Sequence, residues 1–300
     1  MVNGIQKNPE RTVEANGIEI TYDTFGDPQA TPLLLIMGLG MQLIHWEEAF
    51  CSQLAEKGYW VIRYDNRDVG LSSNFDQAGI PDIAGLFDAL VKGETVEAPY
   101  YLKDMADDAV GLLDVLQIPA AHIFGVSMGG MITQTVAIEH PGRALTITST
   151  MSTTGDPLLP PPTLAAMEVL MTPAPTERAA YLDSAVNTAR VLAGPAYPID
   201  EERVRTRAGR AFDRKFNPDG FARQYAAIMA SGNRTHQLRN VVTPTLIMHG
   251  DSDPLVSYQA GLATLEAIPG ARLETINGMG HDLPQKAWQQ IIDAVAAHAI

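Results

Sequence analysis

Along this chain, short apolar runs alternate with segments whose apolar residues recur every three or four positions. The runs that read as strands are Ile18 to Tyr22, Pro32 to Met37, Trp60 to Tyr64, His122 to Val126, Leu145 to Thr150, Pro244 to His249 and Arg272 to Ile276. They are rich in Ile, Val, Leu and Thr and bounded by Gly, Pro or Asp. Leu33-Leu34-Leu35-Ile36 is apolar on both faces, as a strand held between helix layers must be. Helical spacing is clearest in Met105, Ala109, Leu112, Leu113 and Leu116, with Asp104, Asp107, Asp108 and Asp114 off the stripe. Trp46, Phe50 and Leu54 repeat at four and stop at Gly58, while Trp288, Ile291, Ile292 and Val295 mark a closing helix. The alternation predicts an α/β fold with a mostly parallel central sheet and helices on both faces.

That rhythm breaks after Thr150. No strand is predicted from Met151 to about Met229, and a proline cluster, Pro157 and Pro160-Pro161-Pro162, opens the stretch. Helical segments follow near Thr163 to Met171, Glu177 to Leu192, Glu201 to Phe212 and Pro218 to Met229. Asn217 is the expected cap of the last, with Pro218 in its first turn. The expected division is therefore a core of residues 1–150 and 232–300 and a helical cap of residues 151–231. Such an insertion is expected over the carboxyl edge of the sheet, where open α/β folds bind ligands.

Composition narrows the functional classes. The 300 residues carry 21 Lys and Arg against 35 Asp and Glu, a formal net charge of −14 at pH 7. That opposes tracking of nucleic-acid phosphates and docking on anionic lipid. At 46% hydrophobic and 19% charged, the chain is that of a packed globule. Its single cysteine, Cys51, excludes an intramolecular disulfide and a cysteine-built zinc site. Met1 to Gly17 holds no apolar run, so no secretory signal is expected, and no segment is apolar enough for membrane insertion. A cytoplasmic protein is the expectation. Monomer and homodimer remain equally open.

The sharpest chemical signal is Gly125-Val126-Ser127-Met128-Gly129-Gly130, between the strand ending at Val126 and the helical run Met131 to Glu139. A nucleophile elbow needs this context: Ser127 on a strained strand-to-helix turn, with Gly125 and Gly129 where a Cβ would clash. The Met128 N–H, at the helix N-terminus, is placed to meet a developing oxyanion. A serine hydroxyl needs a base oriented by a carboxylate. Among the histidines, His281 in Gly278-Met279-Gly280-His281-Asp282 follows the last strand at the sheet's carboxyl edge. His122 begins a strand at the wrong edge, His140 ends a helix, His298 lies near the frayed terminus, and His45 and His236 suit surface or pocket-wall roles. His249 shares its turn with the acid. That acid comes from His249-Gly250-Asp251-Ser252-Asp253-Pro254, where Asp253 is held extended before proline and Asp251 is the competitor, expected to stabilise the turn.

These features, with Leu34-Leu35-Ile36-Met37-Gly38 and Arg63 through Ser72, resemble the α/β-hydrolase fold serine esterases with a helical cap. The chain is similar in particular to carboxylesterases and methylesterases related to aclacinomycin methylesterase, and the resemblance spans nearly its whole length. It implies a Ser127, Asp253, His281 triad in the chain order of that fold. It also implies a second oxyanion donor, carried over onto the Leu39 N–H. One departure is Met37-Gly38 where the family commonly has His-Gly. The turn Asp65 to Ser72 is mainly structural in that family, and Arg203, Arg205, Arg207, Arg210 and Arg214 are expected on a solvated, salt-bridged helix face. The implied function is cofactor- and metal-free hydrolysis of small hydrophobic carboxylic esters of short to medium chain through an acyl-enzyme. A lactonase, a perhydrolase of the cofactor-free haloperoxidase type or a carbon–carbon bond hydrolase would use the same residues. A non-catalytic ligand receptor is the reading outside enzymology.

Overall fold

The computed structural model describes residues 4–299. Strands β1 (Lys7–Ala15), β2 (Ile18–Phe25) and β3 (Thr31–Ile36) come first, then α1 (Glu48–Glu56) and β4 (Tyr59–Tyr64). Helices α2 (Ile83–Val91) and α3 (Leu102–Val115) precede β5 (Ala121–Val126), α4 (Met128–Glu139) and β6 (Ala144–Thr150). The helical stretch holds α5 (Leu164–Met171), α6 (Arg178–Leu192), α7 (Glu201–Arg214), α8 (Pro218–Ser231) and the short α9 (Thr235–Leu238). Last come β7 (Thr245–Gly250), α10 (Tyr258–Ala267), β8 (Arg272–Ile276) and α11 (Trp288–His298).

All eight strands join one sheet in the order β1-β2-β4-β3-β5-β6-β7-β8. Strand β2 runs antiparallel to β1 and β4, and the remaining neighbours are parallel. The alternation of Cβ directions splits each central strand between two cores. Leu34, Ile36, Ile62 and Ile123 pack with α3 and α4 on one face. Leu33, Leu35, Val61 and Phe124 pack with α1 and α11 on the other. This double burial is why these strands read as unbroken apolar runs.

Departures from the expected elements have local causes. β1 went unpredicted because its sequence, KNPERTVEA, is polar on both faces; it is an edge strand, largely exposed. α2 also went unpredicted, and none of its residues is buried. α1 begins at Glu48, so Trp46 precedes the helix instead of opening it. Asn217 makes no cap hydrogen bond; its side chain instead donates to Asp68 O (3.0 Å) and Asn74 Oδ1 (3.1 Å). His298 is not on a frayed end: it is buried, with Nε2 3.1 Å from Ile147 O.

Candidate active site

Ser127 stands between β5 and α4 with φ 55° and ψ −120°. An L-residue enters this region only under strain, and the surrounding close packing imposes it. A Cβ on Gly125 would collide with Gly129 O, and one on Gly129 with Ile36 O, so both positions require glycine. Ser127 N–H donates to Thr150 O (2.9 Å) and Ser152 Oγ to Ser127 O (2.9 Å), tying the turn to the neighbouring strand.

His281 and Asp253 arrive from the loops after β8 and β7, at the same carboxyl edge. Ser127 Oγ lies 3.0 Å from His281 Nε2, and His281 Nδ1 lies 2.7 Å from Asp253 Oδ2. The other oxygen of Asp253 accepts the N–H groups of Leu255 and Val256, each at 2.9 Å. Burial alone would raise this carboxyl, but the adjacent His281 charge and hydrogen bonds from His249 and His281 hold it below the usual carboxylate range. It is thus an anion facing an imidazole, the arrangement that fixes a tautomer and favours a transient imidazolium. Asp251, the competing acid, is turned away: its Oδ1 accepts Gly278 N–H at 2.6 Å and Ser252 Oγ–H at 3.0 Å, bracing the backbone below His281.

His249 was passed over in the sequence, yet it is fully buried beside the acid. Its Nε2 donates to Val256 O (2.8 Å) and lies 3.5 Å from Asp253 Oδ2. Asp282, next to His281, is pushed up to about 6 by burial, against the opposing influence of His281, Arg207 and Arg203. Its Oδ1 is buried without a hydrogen-bond partner among the described residues. His45 lines a small cavity with Arg203 and Arg207; burial, then Arg207, pushes it down to about 3. His236 is exposed on α9, His122 pairs with Thr146 (2.9 Å) and His140 with Asp107 (2.6 Å). Among the described residues, no group of three His, Cys, Asp or Glu side chains could hold a metal ion.

After β3 comes the stretch Met37 to Met41. A Cβ on Gly38 would lie 3.2 Å from Ser127 Cβ, so this backbone borders the serine directly. Asn66 Nδ2 donates to Met37 O (3.0 Å), and Gly40 N–H donates to Gln224 Oε1 (2.8 Å) on α8. The helical stretch reaches the other two loops as well. Thr163 N–H donates to Pro254 O (2.8 Å), and His281 N–H donates to Leu192 O (2.8 Å).

The arginines of α7 divide in two. Arg205 and Arg210 are exposed, as expected of a solvated face. Arg203 and Arg207 instead reach Glu47, before α1, at 2.6 and 3.3 Å, and Arg214 reaches Asp65 at 2.7 Å. They fasten the helix to the sheet domain. The Asp65 to Ser72 turn is the receiving surface: Asp68 also takes Arg223 of α8 at 2.8 Å, and Arg67 is paired with Asp108 of α3 at 2.6 Å.

The sheet order and the strained serine turn define an α/β frame, and sequence comparison identifies its family. The model of the serine aminopeptidase, S33 family matches residues 30–285. The chain belongs to this family of α/β-hydrolases. This α/β-hydrolase is 30% identical to rhodomycin D methylesterase DauP of Streptomyces sp. (strain C5), over 97% of its own length and 98% of the relative's. It is 26% identical to 3-oxoadipate enol-lactonase 2 of Acinetobacter baylyi, over 88% and 87%. The fold is shared with the enol-lactonase of Burkholderia xenovorans LB400, at a TM-score of 0.72 and 20% identity, covering 96% and 99% of the two chains. It is shared equally with a meta-cleavage product hydrolase of Pseudomonas fluorescens IP01, at 0.74 and 20%, covering 96% of each. Among the described residues, no helix of this hydrolase is long and apolar enough to cross a membrane.

Proposed function

We propose that the protein hydrolyses small apolar carboxylic esters through an acyl-enzyme on Ser127. The observation carrying this reading is the hydrogen-bonded line Ser127 Oγ to His281 Nε2 (3.0 Å) and His281 Nδ1 to Asp253 Oδ2 (2.7 Å) at a strained elbow. His281 takes the Ser127 proton as Oγ attacks the ester carbonyl, and the carbonyl π pair moves onto oxygen. The Leu39 and Met128 N–H groups receive that oxyanion. Collapse re-forms the carbonyl and breaks the C–O bond; His281 gives its proton to the departing alkoxide. Water then attacks the acyl-enzyme, giving a proton to His281, which returns it to Ser127 Oγ as the acid leaves. Asp253 stays ionised throughout and stabilises the imidazolium.

The ester reading draws on the methylesterase relatives DauP and DnrP, the latter of Streptomyces peucetius, each 30% identical to this chain. Methyl esters of apolar acids are accordingly the first substrates to try. Residues 151–231 serve as a cap over Ser127 in this reading, with Phe221 and Tyr225 of α8 on the substrate side; their stacked rings lie 6.2 Å apart. A closed, apolar site favours short to medium acyl groups, each buried methylene contributing ~0.8 kcal/mol until the space is filled. Enol-lactone hydrolysis is the second reading, favoured by the enol-lactonase relative. The test is a fluorophosphonate labelling gel followed by a panel of methyl esters, p-nitrophenyl esters and enol-lactones. Labelling of wild type but not of Ser127→Ala, with turnover of esters from acetate to octanoate, is expected. Undiminished labelling of Ser127→Ala, or a maximum at palmitate, rejects the proposal.

A further inference from the structure

The stretch Gly38 to Met41 is a four-residue turn, closed by Met41 N–H donating to Gly38 O (3.2 Å). Gly40, at its third position, has φ +69°, the left-handed conformation a type II turn demands there. In a trans peptide the N–H points opposite to the C=O. Gly38 C=O points across the turn to Met41, so the Leu39 N–H of the same peptide unit faces outward from it. The orientation of that N–H therefore depends on the turn keeping its shape.

What restrains the turn is a side chain from the helical stretch. Gln224 of α8 is fully buried. Its Oε1 accepts Gly40 N–H at 2.8 Å and its Nε2 donates to Arg67 O at 2.8 Å, so both ends of the amide are used and its orientation is fixed. The Arg67 end is rigid in turn, because the Arg67 guanidinium is held by Asp108. One helical turn before Gln224, the Phe221 ring lies against Gly40, 2.9 Å from where a Cβ would stand. Type I and type II turns differ by a flip of the central peptide, here Leu39–Gly40, whose N–H is the one Gln224 holds. The bond favours one orientation of that peptide and so anchors the turn that presents the preceding Gly38–Leu39 unit.

We propose that Gln224 is a positioning residue for the oxyanion hole, holding the Gly38–Met41 turn so that the Leu39 N–H meets the tetrahedral intermediate. This rests on the reading of Ser127 as nucleophile and Leu39 as donor. Gln224 touches no reacting atom, and its effect passes entirely through the turn. The hole is then complete only while α8 is docked.

Gln224→Met preserves length and volume but accepts no strong hydrogen bond. It should lower kcat by about 10- to 100-fold, less than the ~10²–10³ lost when a donor is removed outright, with KM changed under about threefold. Affinity for an alkylboronic acid, whose serine adduct places an oxygen where the oxyanion forms, should fall by the same factor as kcat/KM. Substrate affinity measured in Ser127→Ala should be unaltered by adding the second substitution. If Gln224→Met does not fold, Gln224→Asn, one methylene too short to span both partners, carries the same readouts. A kcat within about threefold of wild type, or boronate affinity unchanged beside a lowered kcat, overturns the proposal. A loss of Tm alone does the same. Wild-type protein that neither labels with fluorophosphonate nor hydrolyses any ester would instead reject the underlying function.

Discussion

Ser127 occupies a backbone conformation that costs of order 1–3 kcal/mol for any residue with a Cβ. Ser127→Ala keeps that strain and removes the hydroxyl proposed as nucleophile, so folding should persist while ester turnover falls below a few per cent. Ser127→Gly relieves the strain at the expense of a more flexible unfolded chain; a net gain of roughly 1 kcal/mol is expected, visible as a raised urea midpoint. An unchanged or lowered midpoint would mean the turn is not strained. At the acid, Asp253→Asn should cut kcat by about 10²–10⁴-fold because the amide cannot hold the imidazole as the carboxylate does. Asp251→Asn loses only a brace on Gly278 and should cost under about tenfold. Equal losses would move the acid to Asp251. Ser127, His281 and Asp253, which the structure brings into one hydrogen-bonded line, were singled out in the sequence because glycines, a proline and strand ends bracket them, while the rival Asp251 bonds Gly278 instead. His249 was placed in the acid's turn but given no role. Gln224 was not nameable: it acts through the fold, across 184 positions to Gly40, and no local pattern marks such a residue.

At the level of elements, strands buried on both faces were legible to within a few residues, because apolar runs with β-branched residues have no other stable use. β1 was not, since it buries no continuous face; α2 went unread although Ile83, Leu86, Phe87 and Leu90 keep helical spacing. The arginines of α7 and α8 show a second limit: charge counts do not reveal which charges become buried. Arg223 and Asp68 have side-chain exposures of 1% and 0%, against 45% and 69% for Arg205 and Asp183. Arg223→Met leaves a carboxylate buried without its cation and should cost about 3–5 kcal/mol of unfolding free energy. Arg205→Met should cost under about 1 kcal/mol. Similar values for the two variants, measured by urea denaturation, would show that the α8 anchor is no stronger than a surface pair.

For the whole molecule, pH acts through groups whose folded environment differs from water. His45 is held neutral down to about 3, whereas an unfolded histidine takes a proton near 6.5. Between these values the unfolded state binds more protons, so this contribution to stability is lost as pH falls from about 6.5 towards 3. Asp282 works in the opposite sense: raised from 3.8 to about 6, it binds its proton more tightly when folded, and its contribution fades as pH rises through that window. His45→Gln should therefore flatten the acid side of the stability profile, and Asp282→Asn should remove a decline between about pH 4 and 6. Parallel profiles for both variants and wild type would contradict these assignments. Finally, the helical stretch makes at least one backbone or side-chain hydrogen bond to each of three loops around the serine, among them those of Thr163, Leu192 and Gln224. It is consequently not an interchangeable module. A chimaera that borrows these helices from a relative to change substrate preference would have to reproduce all three bonds in register, or inherit a new pocket above disordered machinery.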